Sequence, residues 1–223
     1  MTSEQVEPGR VERKRGRRIQ EILRTAAELF GERGYDGANL EDVAQRLDVT
    51  KGSLYYYFAS KDELVTAAIE TLGKEWTERL ERLSEARDGS PADRLRALIR
   101  EHVDIAVREY PGVLRLYLVP RNWPEPQRQR IEALRREHNA LFRRVVEEGV
   151  ASGDFTVASV ETTLRCMHAA MSQAPLWCSH KKGAALERAL DELADALMML
   201  VGVWPESGEP GAGAVRAPRP SRS

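Results

Sequence analysis

Four consecutive aromatic residues close the segment KGSLYYYF, residues 51–58. Successive residues of an α-helix are about 100° apart, so four of them cannot all face one small core. Leu54 and Phe58 are four residues apart and share a face, which is predicted to be buried. The three tyrosines between them then point outward or sideways. Because a tyrosine combines a hydroxyl group with a flat apolar ring, it suits the phosphate oxygens and thymine methyl groups of a DNA groove.

The residues before this segment favour a helix-turn-helix. Asn39 and Thr50 are N-cap candidates for two short helices, and LDVT, residues 47–50, has about the length of the turn between them. The N-terminus of the second helix, the end that enters the major groove in this motif, carries Lys51, Gly52 and Ser53. An ordinary helical hairpin with surface tyrosines fits the same spacing.

Helical periodicity dominates the whole chain, and strand patterns are nearly absent. We predict nine helices: about 17–33, 40–47, 51–57, a long fourth helix from 61, a fifth after the Ser90-Pro91 cap, a short sixth over 112–119, a seventh ending near Gly153, an eighth over 157–181 with a kink at Pro175, and a ninth from Leu186 to Trp204. The expected fold is all-α, with a small N-terminal three-helix unit that contains the helix-turn-helix and a larger C-terminal helical domain. The expected divisions are a disordered basic arm (1–16), the helix-turn-helix domain (17–60), the C-terminal domain (61–204) and a disordered tail (205–223).

The distribution of charge is more informative than its total. The net charge is −1, but residues 10–18, RVERKRGRR, contain six basic residues and one acidic residue. Such a run attracts phosphate, although a solvated tail has the same composition. No apolar run of about 18 residues predicts a membrane span. The polar N-terminus and the two cysteines, Cys166 and Cys178, indicate a cytoplasmic protein.

Residues 18–64 resemble the DNA-binding domain of the TetR family of transcriptional regulators. The matching pieces are AAELFGERGYDGANLEDVA, VTKGSLYYYF and SKDEL. The resemblance implies an N-terminal three-helix helix-turn-helix DNA-binding domain and a larger C-terminal helical domain for ligand binding and dimerisation. It also implies a homodimer on a palindromic operator, usually a repressor that a small ligand releases. It places Ser53 and the three tyrosines at groove-contacting or backbone-contacting positions, and Lys61 at a phosphate-contacting position. The full predicted DNA-binding set is Arg17, Arg18, Thr50, Lys51, Gly52, Ser53, Tyr55, Tyr56, Tyr57 and Lys61.

Bulky or polarizable residues on inward helix faces are the candidates for a ligand site: Trp76, His102, Tyr117, Phe142, Met167 and Met171. For each of them a role as core filler is the more common one, and His102 and His138 are expected to be hydrogen-bonded helix residues. Residues 137–155, EHNALFRRVVEEGVASGDF, are similar to a subgroup of the family that senses acyl-CoA thioesters. This similarity implies that Arg143 and Arg144 contact phosphates, although a solvated helix face explains them too.

The eighth and ninth helices carry more apolar residues than one buried face needs. Two such helices from each subunit would form a four-helix bundle, so a homodimer through these helices is predicted.

The competing hypothesis is that the protein is an enzyme, but the sequence lacks the motifs that would indicate one. The sequence has no G-x-G-x-x-G after a strand, no P-loop, no H-E-x-x-H and no G-x-S-x-G. Its four histidines do not have metal-ligand spacing. We therefore predict no catalytic residue, no metal site and no cofactor. A helical protein-interaction module that does not bind DNA is the remaining alternative, although Lys51 and the basic run disfavour it.

Overall fold

The computed structural model describes residues 9–85, 89–109, 123–178 and 180–204, and in these residues it contains helices and no strand. The helices are α1 (Arg10–Arg33), α2 (Leu40–Arg46), α3 (Lys51–Tyr55), α4 (Lys61–Ser84), α5 (Pro91–Arg108), α6 (Glu125–Ser152), α7 (Val160–Cys178), α8 (Gly183–Met198) and a 3₁₀ turn (Met199–Val201). The all-α prediction is confirmed. The predicted sixth helix and the predicted tail lie outside the described residues, so α6, α7 and α8 correspond to the predicted seventh, eighth and ninth helices. Within the described part, every helix is too short or too polar to cross a membrane.

Two helix boundaries in the N-terminal part differ from the prediction. Helix α1 begins at Arg10, so the expectation of a disordered arm is wrong for residues 10–16. Arginine, lysine and glutamate favour helix, and the Glu12 carboxylate accepts a hydrogen bond from the Gly9 N–H at 3.0 Å, which caps the first turn. Helix α3 ends at Tyr55 rather than at residue 57.

The predicted N-caps Asn39, Thr50 and Ser90 are confirmed, because each side chain accepts a hydrogen bond from a backbone N–H of the first turn. Ser60 caps α4 in the same way. Between α2 and α3, Asp48 adopts a φ of 52°, and no other described non-glycine residue has a positive φ. The next residue closes the turn, since the Val49 N–H donates to the Ala44 carbonyl oxygen at 3.0 Å. Local chemistry thus fixes α3 against α2.

Two hydrophobic cores share two helices. The N-terminal core joins α1, α2, α3 and the first half of α4, and it also includes Ile131 and Leu134 from α6. The C-terminal core joins α4 to α8 and includes Trp76 from α4 and Phe142 from α6. The helices α4 and α6 approach closely at Gly73, where an added Cβ would lie 2.5 Å from Leu134 Cδ2. Helices α4 and α6 therefore connect the two cores physically.

Candidate functional site

The segment Lys51–Phe58, which comprises α3 and the three residues after it, has one buried side and one exposed side, which we call the outer face of α3. Leu54 is fully buried and Phe58 is 7% exposed, whereas Tyr55 and Tyr56 are 48% and 73% exposed. The predicted inward and outward directions are confirmed for these four side chains. Tyr57 is half-buried against the N-terminal core, and its ring meets that of Tyr56 edge to face at 5.1 Å. The outer face of α3 therefore presents two aromatic rings rather than three.

Polar groups surround these rings at the start of α3. Thr50 caps the helix, and its hydroxyl lies 3.0 Å from that of Ser53. Lys51 forms an ion pair with Glu41 of α2, and the hydrogen bond to Glu41 raises the pKa of Lys51. Gly52 is exposed, and the only neighbour of an added Cβ would be Thr50 Oγ1 at 3.9 Å. Nothing in the described chain crowds Gly52, so a bound partner has free access to this backbone.

The other predicted DNA-binding residues lie on α1 and α4. Arg17 and Arg18 belong to the helical extension of α1, where Arg18 pairs with Glu21. Lys61 begins α4, and its ammonium group lies 4.0 Å from the centre of the Tyr35 ring. This cation–π contact holds Lys61 against the N-terminal core. A DNA-binding role for these residues stays a prediction.

Five rings from four helices meet inside the C-terminal domain, and we call them the ring cluster: Trp76, His102, His138, Phe142 and His168. The ring centres of Trp76 and His102 are 4.7 Å apart, and those of His102 and His138 are 5.0 Å apart. His168 lies 4.9 Å from Phe142 and 5.5 Å from His138. Three of the six predicted ligand-site residues, Trp76, His102 and Phe142, are therefore brought together.

Several buried polar atoms of the ring cluster have no hydrogen-bond partner in the described chain. They are Trp76 Nε1, both ring nitrogens of His102, and His168 Nε2. The expectation that His102 is an ordinary hydrogen-bonded helix residue is therefore wrong. An unpaired polar atom in an apolar interior lowers the stability of the folded protein by about 1–3 kcal/mol, so these atoms are destabilising in the described chain.

The three imidazoles of the ring cluster are neutral at pH 7. Burial lowers the pKa of His138 to about 3, with a further contribution from His168, and burial lowers the pKa of His168 to about 4. Burial also lowers the pKa of His102 well below its usual value, and the two neighbouring imidazoles act in the same direction. Each neutral imidazole offers one N–H donor and one lone pair.

Of the other three predicted ligand-site residues, two are core residues and one lies outside the described residues. Met167 and Met171 are fully buried in the C-terminal core, on the same helix as His168. Tyr117 lies outside the described residues. Two members of the ring cluster, His138 and His168, were not predicted as ligand-site residues. Their positions in the sequence could have indicated them, because His138 lies four residues before Phe142 on its helix and His168 lies directly after Met167.

No metal centre forms among the described residues, since no three His, Cys, Asp or Glu side chains are placed to hold an ion.

The predicted dimer helices carry exposed apolar residues. On α7 they are Leu176 and Trp177, and beyond the end of α8 they are Met199, Leu200 and Trp204. Pro175 lies inside α7, as predicted, while α7 itself is three residues shorter at each end than the prediction. This surface is compatible with a second copy of the chain, and the homodimer stays a prediction.

Two segments match known families. Residues 22–68 match "Bacterial regulatory proteins, tetR family", and residues 88–201 match "Tetracyclin repressor-like, C-terminal domain". The second match alone covers more than half of the chain, and the two matches correspond to the two cores.

Individual relatives are more distant. IcaR from Staphylococcus epidermidis, a negative transcriptional regulator of a biofilm operon, is 39% identical over 49 residues, which are 22% of this chain and 26% of IcaR. The transcriptional regulator RutR from Escherichia coli K12 is 32% identical over 96 residues, 43% of this chain and 44% of RutR. The transcriptional repressor KstR2 from Mycolicibacterium smegmatis is 24% identical over 139 residues, 62% of this chain and 67% of KstR2. The matched part of the chain thus spans less than half of the length of IcaR and of RutR.

Several solved structures are similar to this chain over nearly their full length. PfmR from Thermus thermophilus is 25% identical with a TM-score of 0.71, over 83% of this chain and 99% of PfmR. FadR from Bacillus subtilis in complex with stearoyl-CoA is 17% identical with a TM-score of 0.68, over 82% of this chain and 98% of FadR. AibR in complex with isovaleryl coenzyme A and operator DNA is 21% identical with a TM-score of 0.70, over 81% of this chain and 98% of AibR. The last two share the fold. With both of its domains matched, the chain belongs to the tetR family of bacterial regulatory proteins.

Proposed function

We propose that this protein is a ligand-responsive, operator-binding transcriptional regulator that acts as a repressor. The observation that carries the proposal is the division of the segment Lys51–Phe58, where Leu54 and Phe58 are buried while Tyr55 and Tyr56 are exposed to solvent near Lys51. A short helix with large exposed rings and a basic N-terminus suits the major groove, where tyrosines reach phosphates and thymine methyl groups.

The operator is proposed to be palindromic, because the active species would be a homodimer through α7 and α8. A twofold axis between two copies would present two α3 helices on the same side of the dimer. For both to enter successive major grooves they must be separated by about 34–36 Å. The exposed apolar side chains at the end of α7 and after α8 support this surface as the interface.

The connection between ligand and DNA is proposed to run through α4 and α6. Trp76 of α4 and His138 of α6 belong to the ring cluster, whereas Leu64 of α4 and Ile131 of α6 pack in the N-terminal core. Arg130 of α6 also pairs with two carboxylates of α4. A ligand that binds one arrangement of these helices more tightly would shift the position of α3, and equal affinity for both arrangements would shift nothing.

The effector is proposed to be apolar, and an acyl-CoA thioester is the class that the similarity of residues 137–155 favours. FadR and AibR, which share the fold, hold such thioesters in their solved structures. Arg143 pairs with Glu161 and Glu147, and Arg144 lies 3.9 Å from Glu85, so both arginines would exchange a carboxylate for phosphate on binding.

Binding to DNA from upstream of the protein's own gene, followed by fluorescence anisotropy, tests the operator-binding part. Tyr56→Ala is expected to weaken binding by about tenfold or more, since one good base contact is worth about 1–3 kcal/mol. Its melting temperature is expected to stay unchanged because the side chain is largely exposed. Unaltered DNA affinity in this variant would contradict the role of α3.

Lys61→Ala is the matched comparison for a phosphate contact. It is expected to weaken binding to all sequences by a similar factor and to reduce the slope of log affinity against log salt by about 1. A loss confined to one base pair would contradict the phosphate role. Adding isovaleryl-CoA or stearoyl-CoA, with free coenzyme A as control, tests whether an acyl thioester releases the DNA.

A further inference from the structure

The unpaired polar atoms of the ring cluster define what kind of ligand it can accept. Trp76 is 7% exposed and His102 is 3% exposed, and the described chain offers no partner for Trp76 Nε1 or for either nitrogen of His102. Indole N–H is a donor only, while a neutral imidazole supplies one donor and one acceptor. The cluster therefore presents donors and an acceptor among ring faces.

A purely hydrocarbon ligand does not match these atoms. It would pack against the ring faces but leave the indole N–H and the imidazole nitrogens unpaired, at about 1–3 kcal/mol for each group. A ligand with a ketone oxygen would accept from Trp76 and still leave the imidazole lone pair without a donor. A hydroxyl group can do both, because it accepts hydrogen bonds and donates one.

A charged ligand group does not match them either. Among the described residues, the buried polar side chains are Thr66, Ser84, His102 and His138, and none of them is an aspartate, glutamate, lysine or arginine. A carboxylate or ammonium group at the ring cluster would thus lack a permanent counter-charge, and burial of an unpaired ion is strongly unfavourable.

We infer that the ring cluster binds an uncharged, hydroxyl-bearing apolar group, whose hydroxyl accepts from Trp76 Nε1 and donates to His102. This inference rests on the effector role proposed above for the C-terminal domain and states which chemistry the buried part of the effector carries. In an acyl thioester, this group would be a hydroxylated acyl chain or ring. The centres of the Trp76 and His102 rings lie 4.7 Å apart, so the two side chains that carry these polar atoms are direct neighbours.

Benzyl alcohol and ethylbenzene make a matched probe pair, since they differ only in a hydroxyl group against a methyl group. Calorimetric titration of the full chain is expected to give binding of benzyl alcohol at least about tenfold tighter than that of ethylbenzene, because a site built for a hydroxyl rejects the analogue that lacks it. Ethylbenzene binding as tightly as benzyl alcohol, or no binding of either probe, would overturn the inference.

Two variants assign the preference to the named atoms, and a third controls for shape. Trp76→Phe and His102→Phe keep an aromatic ring but remove the polar atoms, and each is expected to abolish or reverse the preference for benzyl alcohol. Phe142→Leu removes a ring without any hydrogen-bonding atom, and it is expected to weaken both probes by a similar factor. If both polar variants keep the preference, the hydroxyl lies elsewhere and the inference is wrong.

DNA binding by the ligand-free protein separates this inference from the proposed function. If the probe experiment fails while operator binding is intact, the proposed hydroxyl-binding site is wrong and the proposed regulatory function is unaffected. If the unliganded wild-type protein does not bind an operator, the proposed function is contradicted, whatever the probes show.

Discussion

The outer face of α3 and the ring cluster depart from ordinary burial in opposite directions. On the outer face of α3, Tyr56 is 73% exposed although its ring is largely apolar. In the ring cluster, His102 is 3% exposed although neither of its nitrogens finds a partner in the described chain. Folding alone favours neither arrangement, because apolar rings gain from burial and unpaired polar atoms lose by it. Both regions therefore fit the proposal above, in which each of them binds a partner.

The two regions also differ in how their residues are held. The outer face of α3 is built by neighbours in sequence, with the cap at Thr50 and the buried Leu54 only four residues apart. The ring cluster is assembled from residues as distant as Trp76 and His168, on four helices. Exposed residues of α3 are thus expected to be replaceable without loss of stability, whereas any change in the ring cluster is expected to affect the whole C-terminal core.

The largest expected effect is a loss of stability in mild acid. The pKa values of His138 and His168 fall to about 3 and about 4 in the folded protein, from 6.5 in a model peptide. Between pH 6.5 and pH 4 the unfolded chain therefore binds more protons than the folded protein, so stability is full above pH 6.5 and falls as the pH is lowered. At pH 5 each of these imidazoles is expected to lower the free energy of unfolding by about 2 kcal/mol, and the lowered pKa of His102 acts in the same direction.

Urea unfolding at pH 7 and pH 5 measures this effect, and His168→Phe is its control. The variant keeps a ring beside Phe142 but removes one titrating group, so its stability should change with pH by about 1.4 kcal/mol less for each unit below 6.5. Equal stability of the wild-type protein at the two pH values would show that the imidazoles of the ring cluster are protonated in the folded state, or reach water.

A smaller loss is expected from the buried side of α3. Leu54→Ala removes a fully buried side chain from the N-terminal core, and such changes lower the free energy of unfolding by about 3 kcal/mol. Tyr55→Ala, one residue further along the same helix, is the matched control and is expected to change it by less than about 0.5 kcal/mol. Similar losses in the two variants, measured by urea unfolding, would erase the distinction between the two sides of α3.

Local features of the fold were predictable from the sequence because neighbouring residues determine them. A cap needs a side-chain oxygen within one turn of the backbone N–H that it accepts from, and Asn39, Thr50 and Ser90 satisfy that requirement in sequence. The direction of Leu54 and Phe58 follows from helical spacing in the same way. The start of α1 was missed because the charge of the basic run suggests a solvated tail, whereas arginine and lysine favour helix as strongly as they favour solvent.

The ring cluster was only partly predictable, and the reason is geometric. Helical spacing shows that His102, His138 and His168 face inward on their own helices, but it does not show which inward faces converge. That depends on how α4, α5, α6 and α7 pack against one another, which contacts between residues far apart in sequence determine. Hydrogen bonding was misjudged for the same reason, since whether a buried imidazole finds a partner depends on the neighbouring helices.

The smallest expected effect concerns the ion pair at the start of α3. Lys51 pairs with Glu41 in the unbound protein, so on DNA the same ammonium group must choose between a carboxylate and a phosphate. Glu41→Gln removes the competitor and one negative charge near the duplex, and it is expected to raise DNA affinity by about threefold, since exposed pairs are weak. The melting temperature is expected to stay within about 2 °C of that of the wild-type protein.

Fluorescence anisotropy at one fixed salt concentration measures that gain, and a double-mutant cycle assigns it. Lys51→Met should weaken binding, and in its presence Glu41→Gln should bring little further gain, because no ammonium group remains to be released. A full gain in the Lys51→Met background would mean that Glu41 simply repels the phosphates. Weaker binding by Glu41→Gln alone would show that the carboxylate positions Lys51 for DNA. In that case two contacts position the outer face of α3: the ion pair between Lys51 and Glu41, and the burial of Leu54.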